Sequence, residues 1–387
     1  DAIAVIAPSN KKNPYTLFVR PRDAAMETWY GRREGTDGAV KNYKADKAFP
    51  IEKFESEFAK ILNGHEKLYY RFGVDNKLDQ QILHYLSAQR FRRLKTAYPP
   101  HTIIDPTVLI HEMRLHKTDE EVAIMQKSAD IAVDAHVLAM KSTKPGMNES
   151  NIEAIIEHHF RMNGAAGVSY NSIVGGGGNA TILHYVENNH ELRDGDLLLV
   201  DAGAHYKGYA SDITRTFPVG GRFTKPQREV YDTVLAVEIA CLEATKKGNT
   251  VKQRHDLSIE LLTEGMKKLG LLKGKTKDLI RKKAFMKYYM HGVGHYLGLD
   301  VHDAGRYFTD QRAKNSRPFE AGMVLTVEPG LYIAPDDKDA PSKYRGIGVR
   351  IEDDILVTED GNVNLTAKCP KQAEEIEELM NSERAAV

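Results

Sequence analysis

Apolar residues follow two rhythms along this chain, one near period two and one at three- and four-residue steps, and together they lay out its elements. Asp1–Ala7 and Tyr15–Arg20 read as strands around the turn residues Ser9-Asn10-Lys11. Ile51–Leu62 and Leu78–Lys95 have helical spacing, with a strand at Leu68–Phe72 between them. Alternating strands and helices predict a small α/β domain over residues 1–112. Trp29, Tyr30, Arg32 and Arg33 fall in a stretch that reads as a polar loop, free to pack or to meet a neighbouring subunit.

The pattern changes after the helix breakers Tyr98-Pro99-Pro100 and Asp105-Pro106. A second domain, residues 113–387, is predicted to begin with a capping box, Thr118-Asp119-Glu120-Glu121. The helix it opens carries Val122, Met125, Ala129, Val133, His136 and Met140 on one face and stops at Pro145-Gly146. A helix over Ile152–Arg161 follows, then the run Gly175–Gly178. That run lacks the Lys-Ser/Thr of a phosphate loop and reads as a flexible turn. Leu197–Phe217 reads as two strands joined by the turn Tyr206-Lys207-Gly208-Tyr209. Thr224-Lys225-Pro226 then starts a long helix to about Lys247, followed by helical spacing over Val251–Leu269 and Lys277–Lys287. Short strands and turns run to Thr358, and a charged, helical tail closes the chain. Each half of this domain has helices first and acid-bearing strands after, an α+β arrangement.

Composition narrows the function. The 54 basic and 54 acidic residues balance, with no basic stripe, which argues against nucleic acid as partner. Cys241 and Cys369 are the only cysteines and have no metal-type spacing, which favours a reducing, cytoplasmic setting over a disulfide framework. No apolar run approaches the roughly 18 residues of a membrane span, and no signal peptide opens the chain. The chain begins at Asp1 inside a predicted strand, so its natural start is expected further upstream.

The chemistry is concentrated in acids placed where strands avoid them. Asp201 and Asp212 sit one on each strand of the predicted hairpin, and their odd separation puts both carboxylates on one face of the ribbon. Further on, His291, His295 and His302 fall within twelve residues punctuated by glycine. Glu328 ends an apolar strand, and Glu352 interrupts another two residues after Arg350, so those two side chains share a face. Asp353 and Asp354 read as strand-edge or turn acids. Asp201, Asp212, Glu328 and Glu352 bring four negative charges and His295 a neutral nitrogen. Two divalent cations would balance them, whereas without metal the carboxylates must protonate or splay apart. A carboxylate-rich, thiolate-free set favours manganese, with zinc or cobalt as alternatives. Two such ions sharing carboxylates and a bridging water would make a hydroxide nucleophile near neutral pH.

The order Asp201, Asp212, His295, Glu328, Glu352 resembles that of the pita-bread metallopeptidases, which include methionine aminopeptidase, prolidase and Xaa-Pro aminopeptidase. The strings HYVENN, DAGAHYKGYASDITRTFPV, HGVGHYLGLDVHD, TVEPGLYI and YRGIGVRIEDD are most similar to bacterial Xaa-Pro aminopeptidases (aminopeptidase P). The resemblance covers nearly the whole chain. It implies a pita-bread catalytic domain behind a smaller α/β domain that is longer in the family than here. It also implies a homodimer or homotetramer, two bound metal ions and release of the first residue of peptides with proline second. It makes Asp212 and Glu352 bridging ligands, places His184, His291 and His302 at the substrate, and has Arg350 support the ligands. Prolidase, which cuts Xaa-Pro dipeptides, is the alternative within hydrolases. A peptide-binding pita-bread protein without catalysis is the alternative outside them, and the presence of all five ligand positions argues against it.

Overall fold

The computed structural model describes residues 2–90 and 98–382. The chain divides into two compact units between Leu109 and Ile110, inside the helix Thr107–Leu115.

In the first unit, strands Ala2–Ile6 and Tyr15–Val19 pair antiparallel, and Lys47–Pro50 joins Tyr15–Val19 in parallel. Lys67–Tyr69 and Thr102–Ile104 form a second, parallel pair. Phe18 lies at the centre of the core, stacked on Phe49 and edge-on to Phe54, with Phe58, Leu62, Ile82 and Leu86 around it. Trp29 and Tyr30 are not in a loop: Asp23 caps a helix over Ala24–Tyr30 by accepting from the Ala25 and Met26 amides, and both aromatics point outward from it. A helix over Gly35–Tyr43 follows. Pattern reading missed it because its apolar residues are few and small. The helix expected over Leu78–Lys95 begins at Asn76, and its last residues lie outside the described ones.

The second unit opens with the helix Asp119–Ser142, held at its start by the capping box: Thr118 Oγ1 accepts from the Glu121 amide while the Glu121 carboxylate accepts from the Thr118 amide. Its predicted inner face is buried at Met125, Ala129, Val133, His136 and Met140. Two polar side chains on this helix grip the hairpin beneath. Ser128 Oγ donates to the Ala204 carbonyl at 2.7 Å, and His136 Nε2 donates to the Ala202 carbonyl at 3.0 Å. Complete burial lowers the His136 pKa to about 4, so the ring is a neutral donor.

The hairpin strand Leu197–Asp201 lies between Ile173–Gly176 and Thr214–Pro218 in an antiparallel sheet. Gly175 and Gly176 therefore belong to a strand, and Gly177 and Gly178 open a short 3-10 helix, in place of the expected flexible turn. The second half repeats the plan. Helices Lys225–Ala244 and Val251–Lys268 precede the antiparallel pairs Val324–Val327 with Asp353–Val357 and Gly330–Ile333 with Ile347–Arg350. One strand joins the halves: the Glu352 amide donates to the Thr214 carbonyl at 3.0 Å, and Thr216 Oγ1 donates to the Arg350 carbonyl at 3.0 Å. A continuous apolar core, including Ile156, Phe160, Val200, Val234, Val349 and Ile351, fills the unit from both sides of that seam.

Candidate metal centre

The hairpin keeps one register from Asp201 opposite Thr214 to Tyr206 opposite Tyr209, closed by the two-residue turn Lys207-Gly208. Both turn residues have positive φ, +48° and +91°, as a two-residue turn matched to strand twist requires. Asp212 is the diagonal neighbour of Asp201 on the same face. Between them the ribbon bends so tightly that a Cβ on Gly203 would lie 1.7 Å from the Ser211 carbonyl oxygen. A similar close approach places His295: a Cβ on Gly294, whose φ is +151°, would lie 2.0 Å from the Thr326 carbonyl oxygen. The Thr326 amide donates to the His295 carbonyl, and the Glu328 amide to that of Val293, so His295 and Glu328 are brought together by backbone pairing.

These elements converge on one cavity of about 490 Å³. Asp201, Asp212, His295, Glu328 and Glu352 line it, and so do His184, His291, His302 and Arg350. Asp212, His295 and Glu352 each present a ligand atom within 4.8 Å of the others. His295 Nε2 lies 3.4 Å from Asp212 Oδ2 and 3.8 Å from Glu328 Oε1. Asp201 stands to one side, bonded by Arg350 Nη2 at 2.6 Å. Arg350 Nη1 also donates to the Tyr332 hydroxyl, which sits 2.9 Å from His291 Nε2. Since His291 Nδ1 donates to the Gly292 carbonyl, Nε2 is the acceptor and Tyr332 the donor in that contact. His302 stacks edge-on against His295, their ring centres 4.1 Å apart.

Electrostatics give the cluster its chemical meaning. Burial, then the carboxylates of Asp212, Glu328 and Asp201, push Glu352 well above the ordinary carboxylate range. Burial raises Glu328 to about 7, against the opposing pull of His295 and Arg350. Burial would lower His295, but its contacts with Asp212 and Glu328 prevail and carry it to about 9. Burial, reinforced by Arg350, lowers His291 to about 4. Against four carboxylates the cluster sets only Arg350, already paired with Asp201, and a protonated His295 among the described residues. Thr214 Oγ1 donates to Glu352 Oε2 at 2.7 Å, yet Glu352 Oε1 is buried with no hydrogen-bond partner among the described residues. A buried, unbonded carboxylate oxygen facing a histidine and further carboxylates fits a divalent cation, and the oxygen-rich donor set fits a hard one.

Four residues around the cavity escaped sequence reading. The Tyr170 hydroxyl lies within hydrogen-bond reach of both Asp201 and Asp212, its single proton shared between them, and it stays protonated, since burial and those carboxylates raise its pKa. Nothing in its local sequence marks it. Thr214 shares a strand face with Asp212, so period two points to it. Tyr332 lies inside the quoted string TVEPGLYI. Asp354 is no edge acid: it is 1% exposed, and its Oδ2 accepts from the Asp212 amide. Asp353 is also buried, paired with Arg215 at 2.7 Å.

Comparison with known proteins gives the family of the chain. The profile of metallopeptidase family M24 matches residues 123–359, and that of the aminopeptidase P N-terminal domain matches residues 1–70. The chain is 45% identical to the Xaa-Pro aminopeptidase of Escherichia coli over 382 residues, 99% of this chain and 86% of that one. Its structure superposes on Pseudomonas aeruginosa aminopeptidase PepP with a TM-score of 0.94 at 41% identity, covering 98% of this chain and 85% of that one. For zinc-substituted E. coli aminopeptidase P in complex with product the TM-score is 0.91 at 46% identity, covering 96% and 83% of the two chains. A family profile across most of the larger unit, joined to similarity along nearly the whole length, leaves one assignment: the chain belongs to metallopeptidase family M24, in its aminopeptidase P branch.

Proposed function

We propose that this metallopeptidase releases the N-terminal residue from peptides with proline in second position. The reading is carried by the convergence of Asp201, Asp212, His295, Glu328 and Glu352 on one cavity, in a chain 45% identical to a Xaa-Pro aminopeptidase. These five residues would hold two divalent ions, most naturally manganese, with zinc or cobalt also compatible and with Asp212 and Glu352 shared between the ions. When bound, such ions supply Lewis acidity that polarises a carbonyl and makes water a hydroxide nucleophile near neutral pH.

The remaining steps belong to side chains of this chain. The bond before proline has no N–H, so recognition rests on the ring and the carbonyl. Arg350 fixes Asp201 directly and His291 through Tyr332, which sets the orientation of both in the cavity. His302 and His184 line the wall from which an imidazole N–H can bond the carbonyl oxygen as negative charge develops on it. Glu328 is placed to carry a proton to the departing proline nitrogen. Two buried, unpaired cysteines fit the cytoplasm, and exposed Trp29 and Tyr30 fit a surface for assembly as a homodimer or homotetramer.

The test compares Xaa-Pro-Xaa tripeptides, Xaa-Pro dipeptides and Xaa-Ala-Xaa tripeptides on chelated and manganese-loaded protein, with metal content measured in parallel. Cleavage of the proline tripeptide alone, dependent on about two ions per chain, is expected. Cleavage confined to the dipeptide would mark a prolidase, and turnover undiminished without metal would end the reading.

A further inference from the structure

His302 forms no hydrogen bond among the described residues, yet it sits against His295 in a defined orientation. What holds it lies one residue on. Asp303 follows His302, is buried at 1% side-chain exposure, and has both carboxylate oxygens occupied. Lys117 Nζ donates to Asp303 Oδ2 at 3.1 Å, and Arg114 Nη2 bonds Oδ1 while also reaching Asp300 at 2.6 Å. Lys117 is itself buried to 1%, an unusual place for a lysine without a paired charge. The fit is tight: a Cβ on Gly298 would lie 2.2 Å from Asp303 Oδ2 and 3.0 Å from Lys117 Cε. On the other side of His302, Val301 packs with Met125 and Leu297. The Lys117 amide donates to the Gly322 carbonyl, so the clamp is fastened to the strand region that presents Glu328.

A buried ion pair is a poor source of stability, because desolvating two charges offsets their attraction. It does fix geometry, since each charge must stay where the other is. We infer that Lys117 and Arg114 are positioning residues for His302, acting through the Asp303 carboxylate to hold the imidazole against the metal centre. The inference rests on the proposed role of His302 in catalysis. Displacement of a catalytic group by about 1 Å costs up to about 10²-fold in rate, so the clamp should be visible in turnover.

Four variants test it: Lys117→Met, Asp303→Asn, His302→Ala and the double variant Lys117→Met with His302→Ala. Each is assayed at matched metal occupancy, and the His302 imidazole resonances are followed by NMR in metal-free protein. Lys117→Met and Asp303→Asn should lower kcat by about 10- to 10²-fold with KM changed less than about twofold. Both should shift or split the His302 signals without metal. Combined with His302→Ala, Lys117→Met should cost less than about twofold more, because the group it positions is gone. Losses that multiply in the double variant, or unmoved His302 signals, would overturn the clamp while leaving the reading of His302 intact. Full turnover in His302→Ala would remove that reading and the clamp with it. Should Lys117→Met fail to fold, Asp303→Asn carries the same comparison in a shape-conserving change.

Discussion

At the scale of single residues, the centre depends on side chains that each satisfy two demands. Glu352 takes a hydrogen bond from Thr214 on one oxygen and leaves the other free toward Asp212 and His295. Glu352→Ala should therefore lower metal content and reduce turnover by several orders of magnitude, read by metal analysis and steady-state kinetics. Near-normal turnover with two ions per chain would rule the role out. Tyr332 is the second case. Its hydroxyl donates to His291 and accepts from a buried Arg350, so Tyr332→Phe strands a guanidinium N–H and frees the imidazole. A loss of about 1–3 kcal/mol in stability is expected from denaturant unfolding, along with reduced turnover. Unchanged unfolding would show that the hydroxyl is dispensable. The acids and histidines were legible in the sequence because ionisable residues inside apolar runs demand an explanation. Tyr170 was not, since a tyrosine beside a strand is ordinary and only the fold brings its hydroxyl to Asp201 and Asp212.

At the scale of elements, the same contrast holds for what each segment can reveal locally. The helix Asp119–Ser142 announced itself through its capping box and its inner face, and the hairpin through a turn that needs positive φ. Strands such as Lys47–Pro50 and Thr102–Ile104 are too short to show a period, and they exist because a partner strand supplies their hydrogen bonds. Glycines 175–178 looked flexible, but Gly175 has the Asn179–Ala180 backbone about 3 Å from where its Cβ would be, so they mark close packing. The seam between the halves was equally hidden. Arg215, fully buried, donates to the Thr214, Glu352, Cys369 and Pro370 carbonyls and pairs with Asp353. Burial alone would raise the Asp353 pKa, but Arg215 and Lys371 hold it below the ordinary range, so the carboxylate is charged. Arg215→Met leaves Lys371 as the one cationic partner of that carboxylate among the described residues and takes a donor from each of four carbonyls. A destabilisation of about 3–5 kcal/mol is expected in urea unfolding, and a loss under about 1 kcal/mol would show that the strand pairing alone holds the seam.

At the scale of the whole molecule, the centre is a joint. Asp201 and Asp212 come from the first half of the larger unit, and His295, Glu328 and Glu352 from the second. Folding without metal forces four carboxylates toward one cavity, and the upward shifts of Asp201, Glu328 and Glu352 record the cost of burying them there. Divalent ions would remove that cost and tie the halves together, so their binding should appear in the folding equilibrium as well as in catalysis. A ligand at 100 times its Kd adds about 2.7 kcal/mol to the stability of the state that binds it. For a unit of this size that corresponds to a rise of roughly 5–10 °C in Tm. Chelated protein is thus expected to melt several degrees below manganese-loaded protein in differential scanning calorimetry, with the shift reversed by adding back the ion. Glu352→Ala, lacking one of the acids that faces both halves, should melt at nearly the same temperature with and without manganese. Equal melting of chelated and loaded wild-type protein, at occupancy confirmed by metal analysis, would show that the five proposed ligand positions carry no share of the larger unit's stability.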